Sequence, residues 1–469
     1  MTPAGRHHLA VVLAMVLVAP ASAAAQAGRI SEEFRREGEQ FRESCGSLDG
    51  AMGCAVLLAT GKPLHLAFGS IAPGNGLALG AAFGTRHNPN ETWRLAWSAD
   101  AVRTFGGSYR AGAYMRLVRT AVPQITVVTD PAEATSASEL APRPYPVVHL
   151  FAQMASLQNV SLFEPDNPTS RAVFGLAHRT VGVSTIVPIS STGWARTLNL
   201  SVTGQLAGRF VSLRDGTDTD APGIFTAYPD ATAPGLDQAP DHLELAGGLR
   251  VAPAGRYVGL DYRLQAQRFA GTSDGFSFTR WTADLDHEIR LYGRSTYVDT
   301  RAGNTPNDCD VSPGPDSTCP PVPFTLDRRG SLRLRVLTVT SVAGGDNRVP
   351  FYLQPTLGGR DINGEATLES YDDYRFRGPH LLLFQQTFEH SIWGPIGGYL
   401  RADQGMVADR RQALGTSGLK KSVAFGMTVR AGGMPMVVAS YAVGGSEGRH
   451  FSVVVNTSLL GGSLRPSYD

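Results

Sequence analysis

Beyond its first twenty-five residues the sequence has no apolar run that approaches the roughly 20 residues a membrane-crossing helix needs. Charged or polar residues recur every few positions, so a helical span is excluded. Charge of one sign is also missing. Lys and Arg total 42 against 41 Asp and Glu, a formal net charge of +1, and nothing points to a nucleic-acid partner. No H-E-x-x-H occurs, and no G-x-S-x-G elbow stands between a strand and a helix. These absences argue against an enzyme and against a cofactor. The glycine-rich stretch from Gly69 to Gly80 is followed by no helix, so it reads as a turn between strands and not as a nucleotide loop. No fixed repeat of the propeller kind is present.

What is present begins with an export signal. Arg6, His7 and His8 precede an apolar run from Leu9 to Val18, Pro20 breaks it, and small residues follow to Ala27. That is the three-part pattern of a cleaved secretory signal, assigned to residues 1–25. The only four cysteines fit an oxidising compartment. Cys45 lies close to Cys54, and Cys309 to Cys319, among Gly, Pro, Asp and Ser. Each pair can close a local disulfide; the spacing is long for zinc, and no His pair adjoins either one.

An exported chain with a mean hydropathy of −0.10 is either soluble or crosses a membrane with strands. Only helices and closed barrels satisfy backbone polar groups inside lipid. The barrel signature is alternation over segments of about ten residues. Phe425, Met427 and Val429 alternate with Gly426, Thr428 and Arg430. Trp281, Ala283, Leu285, His287, Ile289 and Leu291 alternate with Thr282, Asp284, Asp286, Glu288 and Arg290. Such an inner face is too charged for a soluble core and suits a wide, water-filled lumen, with Asp284, Asp286 and Glu288 paired to arginines of neighbouring strands. A β-sandwich of this size would show fewer buried polar alternations.

Sixteen strands are predicted, at 64–71, 75–86, 92–102, 108–120, 145–157, 171–187, 197–210, 241–252, 256–269, 278–298, 328–342, 378–390, 396–404, 421–431, 435–443 and 449–460. The even number is what single-chain bacterial barrels require. The fold class expected is all-β: a sixteen-stranded antiparallel transmembrane β-barrel over 64–469, behind a short periplasmic segment, 26–63, holding one helix and a disulfide loop. Long connections at 121–144, 211–240, 299–327 and 343–377 are expected outside the cell, and short ones, such as Asn88–Asn90 and Gly444–Gly448, in the periplasm.

The stretch NRVPFYLQPTLGGRDINGEATLESYDDYRFRGPHLLLFQQTFEHSIWGPIGGYLRADQGMVA, 347–408, resembles the barrel of the bacterial surface antigen family, the BamA/TamA superfamily. PFYLQPTLGG, with Gly358 and Gly359, looks like the entry to that family's inward-folding loop, and YRFRG, ending at Gly378, like its exit. FEHSIWGPIGGYLRADQG and the closing segments VAFGMTVRAGGMPMVVASYAV and FSVVVNTSLL match in order. FAQMASLQNVSLFEPDNPTSRAVFGLAHRTVGV is similar to an earlier hairpin. The resemblance implies a seam between first and last strands, residence in the bacterial outer membrane, contact with its lipid, and clients that are unfolded outer-membrane proteins.

Two features depart from the family pattern. Residues 26–63 are too few for its periplasmic receiver modules, the POTRA domains, which are expected to be lacking. The loop tip, where the family carries arginine–glycine–aromatic, reads Glu369-Ser370-Tyr371, and Thr387 stands where the family has a lumen-facing glutamate. Asp403, the second expected acid, remains. Its cation is expected to be Arg375 or Arg377, with Arg360 a further choice for holding the loop. The expected function is outer-membrane protein or lipid assembly or translocation; the alternative is a passive channel or structural barrel without insertase activity. Peptide mapping under non-reducing conditions should recover Cys45 with Cys54 and Cys309 with Cys319. A crossed pair would overturn the local pairing.

Overall fold

The computed structural model describes residues 64–90, 92–119, 146–164, 167–189, 193–253, 258–299, 323–393, 396–431, 434–445 and 447–455. The signal segment, the segment 26–63, and Cys45, Cys54, Cys309 and Cys319 lie outside the described residues.

Eighteen strands are present among the described residues. They are β1 (Leu64–Ser70), β2 (Leu77–Asn90), β3 (Trp93–Thr104), β4 (Tyr109–Arg119), β5 (Val147–Glu164), β6 (Asn167–Pro188), β7 (Leu200–Asp215), β8 (His242–Val251) and β9 (Val258–Gly271). They continue with β10 (Phe278–Asp299), β11 (Pro323–Val342), β12 (Thr356–Leu357), β13 (Phe376–Arg377), β14 (His380–Trp393), β15 (Ile396–Ala408), β16 (Lys420–Ala431), β17 (Met434–Val443) and β18 (Arg449–Val455). Sixteen of them form one antiparallel sheet in sequence order, in which β11 pairs directly with β14; β12 and β13 pair only with each other. The sheet curls until β1 and β18 lie side by side, and no ladder joins these two edges among the described residues. The all-β barrel read from alternation is the fold, and each predicted strand overlaps an observed one.

The alternation sorts side chains across the wall, because successive residues of a strand point to opposite faces. On β8, Leu243, Leu245 and Leu249 are exposed on the outside while His242, Glu244 and Ala246 are buried inside. Glu244 is shielded within the barrel and accepts Arg209 Nε at 2.6 Å, Gln205 Nε2 at 2.9 Å and Gln267 Nε2 at 3.0 Å. Asp284 takes Arg335 at 2.7 Å, and Asp286 is held by Arg333. Asp284 and Asp286 of β10 are thus paired across to β11, whereas Glu288 makes no ion pair among the described residues, and His287 on the outer face meets the Tyr262 hydroxyl at 2.5 Å.

Two expectations are corrected. In an antiparallel barrel the connections alternate between rims. Let the first rim be the end where β1 finishes and the second rim the end where β1 starts. The connections 216–241 and 343–379 then belong to the first rim, whereas β4, β5, β10 and β11 meet their long connections at the second. Long connections therefore do not share one side. Nor do the short ones: β2 leads into β3 at the second rim and β17 into β18 at the first. Strand parity sets the rim of a connection, and its length does not.

The second correction concerns the lumen. At its first-rim mouth a hydrophobic core joins wall residues Leu157, Phe174, Phe269 and Phe278 to loop residues Ile224, Leu236, Phe351, Leu353 and Tyr374. The charged inner face read from the sequence suggested a wide, water-filled lumen; at the first rim the connections bring apolar side chains against the wall instead. Asn75 fastens the same rim. Its Oδ1 accepts the Ser108 hydroxyl at 2.8 Å and the backbone N–H groups of Gln158 and Asn159 at 2.9 and 3.0 Å, linking three hairpins.

The wall's sidedness is testable. Phe425→Arg and Leu400→Arg place a guanidinium on the outer face, where these side chains are exposed. Each should destabilise the barrel in lipid vesicles by about 2–4 kcal/mol near the bilayer midplane, read from denaturant unfolding. Equal stability to the parent protein would contradict the outward assignment.

Candidate functional site

The segment 343–379 leaves β11 and returns to β14 through the barrel interior. It enters over a single 3-10 turn, Phe351–Leu353, whose three side chains are buried. Arg377 Nη1 donates to Phe351 O at 2.9 Å, Arg280 donates to Leu353 O, and the Tyr352 hydroxyl reaches Pro240 O at 2.8 Å. β12 and β13 then close a neck, Thr356 opposite Arg377 and Leu357 opposite Phe376.

Beyond the neck the chain must turn sharply. Gly358 and Gly359 do this at φ +104° and +56°. A Cβ on Gly358 would meet the Arg375 Cβ at 2.7 Å and Asp372 O at 2.8 Å, so the strands of the loop approach closer than any side chain allows. Gly378 closes the exit, its N–H reaching Pro355 O at 3.4 Å. Asp373 Oδ1 accepts the Arg360 N–H at 2.8 Å, and burial pushes the Asp373 carboxyl above the usual carboxylate range.

The tip, Leu368 to Tyr371, is buried against β15 and β16. Leu368 adopts φ +49°, a left-handed conformation uncommon for a leucine. It is held there by its own N–H, which donates to Asp403 Oδ2 at 2.9 Å, and by its side chain in a cluster with Leu357, Tyr371, Phe376 and Leu383. Glu369 is buried and pairs with Arg401 Nη1 at 2.8 Å, with the Tyr399 hydroxyl at 3.4 Å. Ser370 N–H donates to Ser422 Oγ at 2.9 Å. Thr387 lies directly opposite Arg401 in the β14–β15 ladder, and its hydroxyl accepts Arg401 Nε at 3.3 Å.

Charge at the tip is therefore reversed relative to the family pattern described above. The carboxylate sits on the loop and the guanidinium on the wall. Neither Arg375 nor Arg377 serves Asp403, which takes the Leu368 backbone and the Gln385 amide at 3.4 Å. Arg377 caps the neck. Arg375, 1 % exposed in its side chain, makes a two-pronged pair with Glu447 at 2.7 and 3.0 Å and donates to Glu164 O at 3.0 Å.

Glu447 belongs to the turn between β17 and β18. One residue before Arg375, the Tyr374 hydroxyl donates to Pro73 O at 3.3 Å, in the turn between β1 and β2. Consecutive loop residues thus hold the hairpins on the two sides of the β1–β18 seam. A further contact is made on the opposite flank, where Glu365 pairs with Arg335 at 2.9 Å beside a polar cavity of about 260 Å³ lined by Asp284, Asp286, Arg333 and Arg401 among others.

The residues singled out from the sequence converge on this loop and its wall. Those that were missed are the partners Arg401, Glu447 and Arg335; Glu365 is expected from the sequence as a polar residue of the inward loop. Arg401 was within reach, since it precedes Asp403 by two positions on an alternating strand and so shares its inner face. Glu447 carried no local signal, being brought to Arg375 by tertiary folding alone.

No protein-family model matches the sequence, and no curated protein matches it. Among solved structures the chain is similar to CdiB from Acinetobacter baumannii, at 12% identity and a TM-score of 0.46 over 84% of this chain and 59% of that one. It is also similar to BamA from Haemophilus ducreyi lacking POTRA domains 1–3, at 10% and 0.47 over 84% of this chain and 69% of that one. CdiB from Escherichia coli gives 12% and 0.47 over 84% and 62%. The chain spans about three fifths of the length of the CdiB structures.

Arg401→Ala should leave Glu369 shielded without its cation and cost about 3 kcal/mol, seen as a lower temperature for the heat-induced shift on a gel. The exchange Glu369→Arg with Arg401→Glu returns the charges to the family orientation and should recover most of that loss. Additive damage in the double variant would show that the two side chains do not act as a pair.

Proposed function

We propose that this chain is a bacterial outer-membrane barrel of the BamA/TamA type, acting in outer-membrane protein or lipid assembly or translocation, with unfolded outer-membrane proteins as its clients. The observation that carries the reading is the seam. β1 and β18 adjoin without a ladder among the described residues, and the inward loop holds their hairpins through Tyr374 to Pro73 and Arg375 to Glu447. An unpaired sheet edge is a template for another strand, since its N–H and C=O groups lack partners. A client strand adding there would find those groups, and release of the loop would free the hairpins to part. The outward apolar wall supports residence in lipid, because a soluble protein seldom leaves so many large apolar side chains exposed.

The alternative, a passive channel, is opposed by the apolar core at the first-rim mouth of the barrel. In planar bilayers the protein should show closed or flickering behaviour, and large steady pores would favour the channel. Arg375→Gln and Glu447→Gln should each loosen the seam. With one cysteine placed on β1 and one on β18, oxidative cross-linking should fall about tenfold in these variants, an effect of about 1.4 kcal/mol. Depletion of the protein in its host should lower the levels of other outer-membrane barrels. If those levels and their folding stay normal, the assembly role fails.

A further inference from the structure

Arg103, Arg179, Arg268, Lys421 and Arg449 share three properties. Each is exposed, each occupies an outward-facing position of its strand, and none makes an ion pair with a described residue. They also stand at one level. Arg103 is one residue from the first-rim end of β3, Arg268 is three from that of β9, Lys421 is the second residue of β16 and Arg449 is the first of β18. Arg179 lies opposite Met154, two residues inside the point where β4 begins opposite Ser156.

Below each cation, toward the second rim, the next outward positions are apolar. Val181 follows Arg179, Leu264 lies four residues from Arg268, Val423 and Phe425 follow Lys421, and Phe451 and Val453 follow Arg449; all are exposed. From this level to the second rim, no outward strand position with a described side chain holds Asp or Glu. The carboxylates of the wall, such as Glu244, Asp284 and Asp403, face inward. Charge of one sign on the outside, aligned at the upper edge of an apolar band, marks the depth at which a lipid's polar group meets its chains.

We propose that this belt binds the phosphate groups of anionic lipids packed around the first rim. The proposal rests on the reading of the chain as a membrane barrel. A guanidinium presents paired N–H donors that match two phosphate oxygens, and four of the five cations are arginines. The tilted strands space the five around the wall, so the belt would gather a ring of headgroups rather than one molecule. Polar residues at the same level fit that surface: Arg268 Nη1 reaches the Thr279 hydroxyl at 3.2 Å, and Trp281, exposed two residues further along β10, places an indole at the same border.

Trp281 supplies the test. Replacing Trp93, Trp97, Trp194 and Trp393 with Phe leaves one indole beside Arg268. The protein is reconstituted into phosphatidylcholine vesicles containing brominated phosphatidylglycerol or, at the same fraction, brominated phosphatidylcholine, and quenching of Trp281 is compared. The anionic lipid should associate about three- to fivefold more strongly at low salt. The preference should fall toward unity at about 0.5 M salt, where the Debye length shrinks to a few ångströms. Arg268→Gln should reduce it without altering heat-modifiable folding. Equal quenching by both lipids at low salt overturns the belt, and the salt series decides the matter even if the variant does not refold. No quenching by either lipid would instead overturn the membrane placement itself.

Discussion

A sheet rolled into a wall must give every backbone N–H and C=O a neighbour, and that requirement organises this protein. Among the described residues fifteen ladders satisfy it strand by strand, and the alternation of side chains that accompanies them puts large apolar side chains outside and carboxylates inside. The inner charges then need partners. Glu244 finds Arg209, Asp284 finds Arg335, and the remaining polar lining would stand open to water if the chain did not return through the lumen. Among the described residues, the seam between β1 and β18 is where the ladder requirement goes unmet, and the returning loop meets the hairpins on both sides of it.

The loop is held by both backbone shape and charge pairing. Its neck requires glycine, because Gly358 lies against the Arg375 side chain and the Asp372 carbonyl. Its tip requires a cation on the wall, because Glu369 is buried. The family pattern puts an arginine on the loop and acids on the wall. Here the carboxylate is on the loop and the guanidinium on the wall, and Thr387 fits that arrangement: an acid at that position would face the Glu369–Arg401 pair across the ladder as a second negative charge. Asp403 keeps its place by turning to a backbone N–H, which also fixes Leu368 in its unusual conformation.

Outside, the same alternation exposes a border. Cations stand above apolar residues at one rim, while the carboxylates remain on the inner face. Inner and outer faces therefore follow different rules. Inside, opposite charges pair across strands and with the loop; outside, one sign is left for a partner that lies beyond the protein.

Much of this was legible in the sequence. Period-two patterning located all sixteen wall strands, since a one-residue slip would move an entire apolar set to the wrong face. The motif residues from Gly358 to Asp403 located the loop and its wall. The inner pairing of Asp284 and Asp286 with arginines could also be anticipated, because neighbouring strands place side chains within reach. Three matters were decided only by tertiary structure. Strand parity, not connection length, assigned each long connection to a rim. The apolar core at the first rim came from connections distant in sequence, such as 216–241 and 343–353, against the β5–β6 hairpin. And the cation for Glu369 was Arg401, while Arg375 went to Glu447, because a sequence fixes which face a side chain takes but not which charge an inward-folding loop will carry up to it.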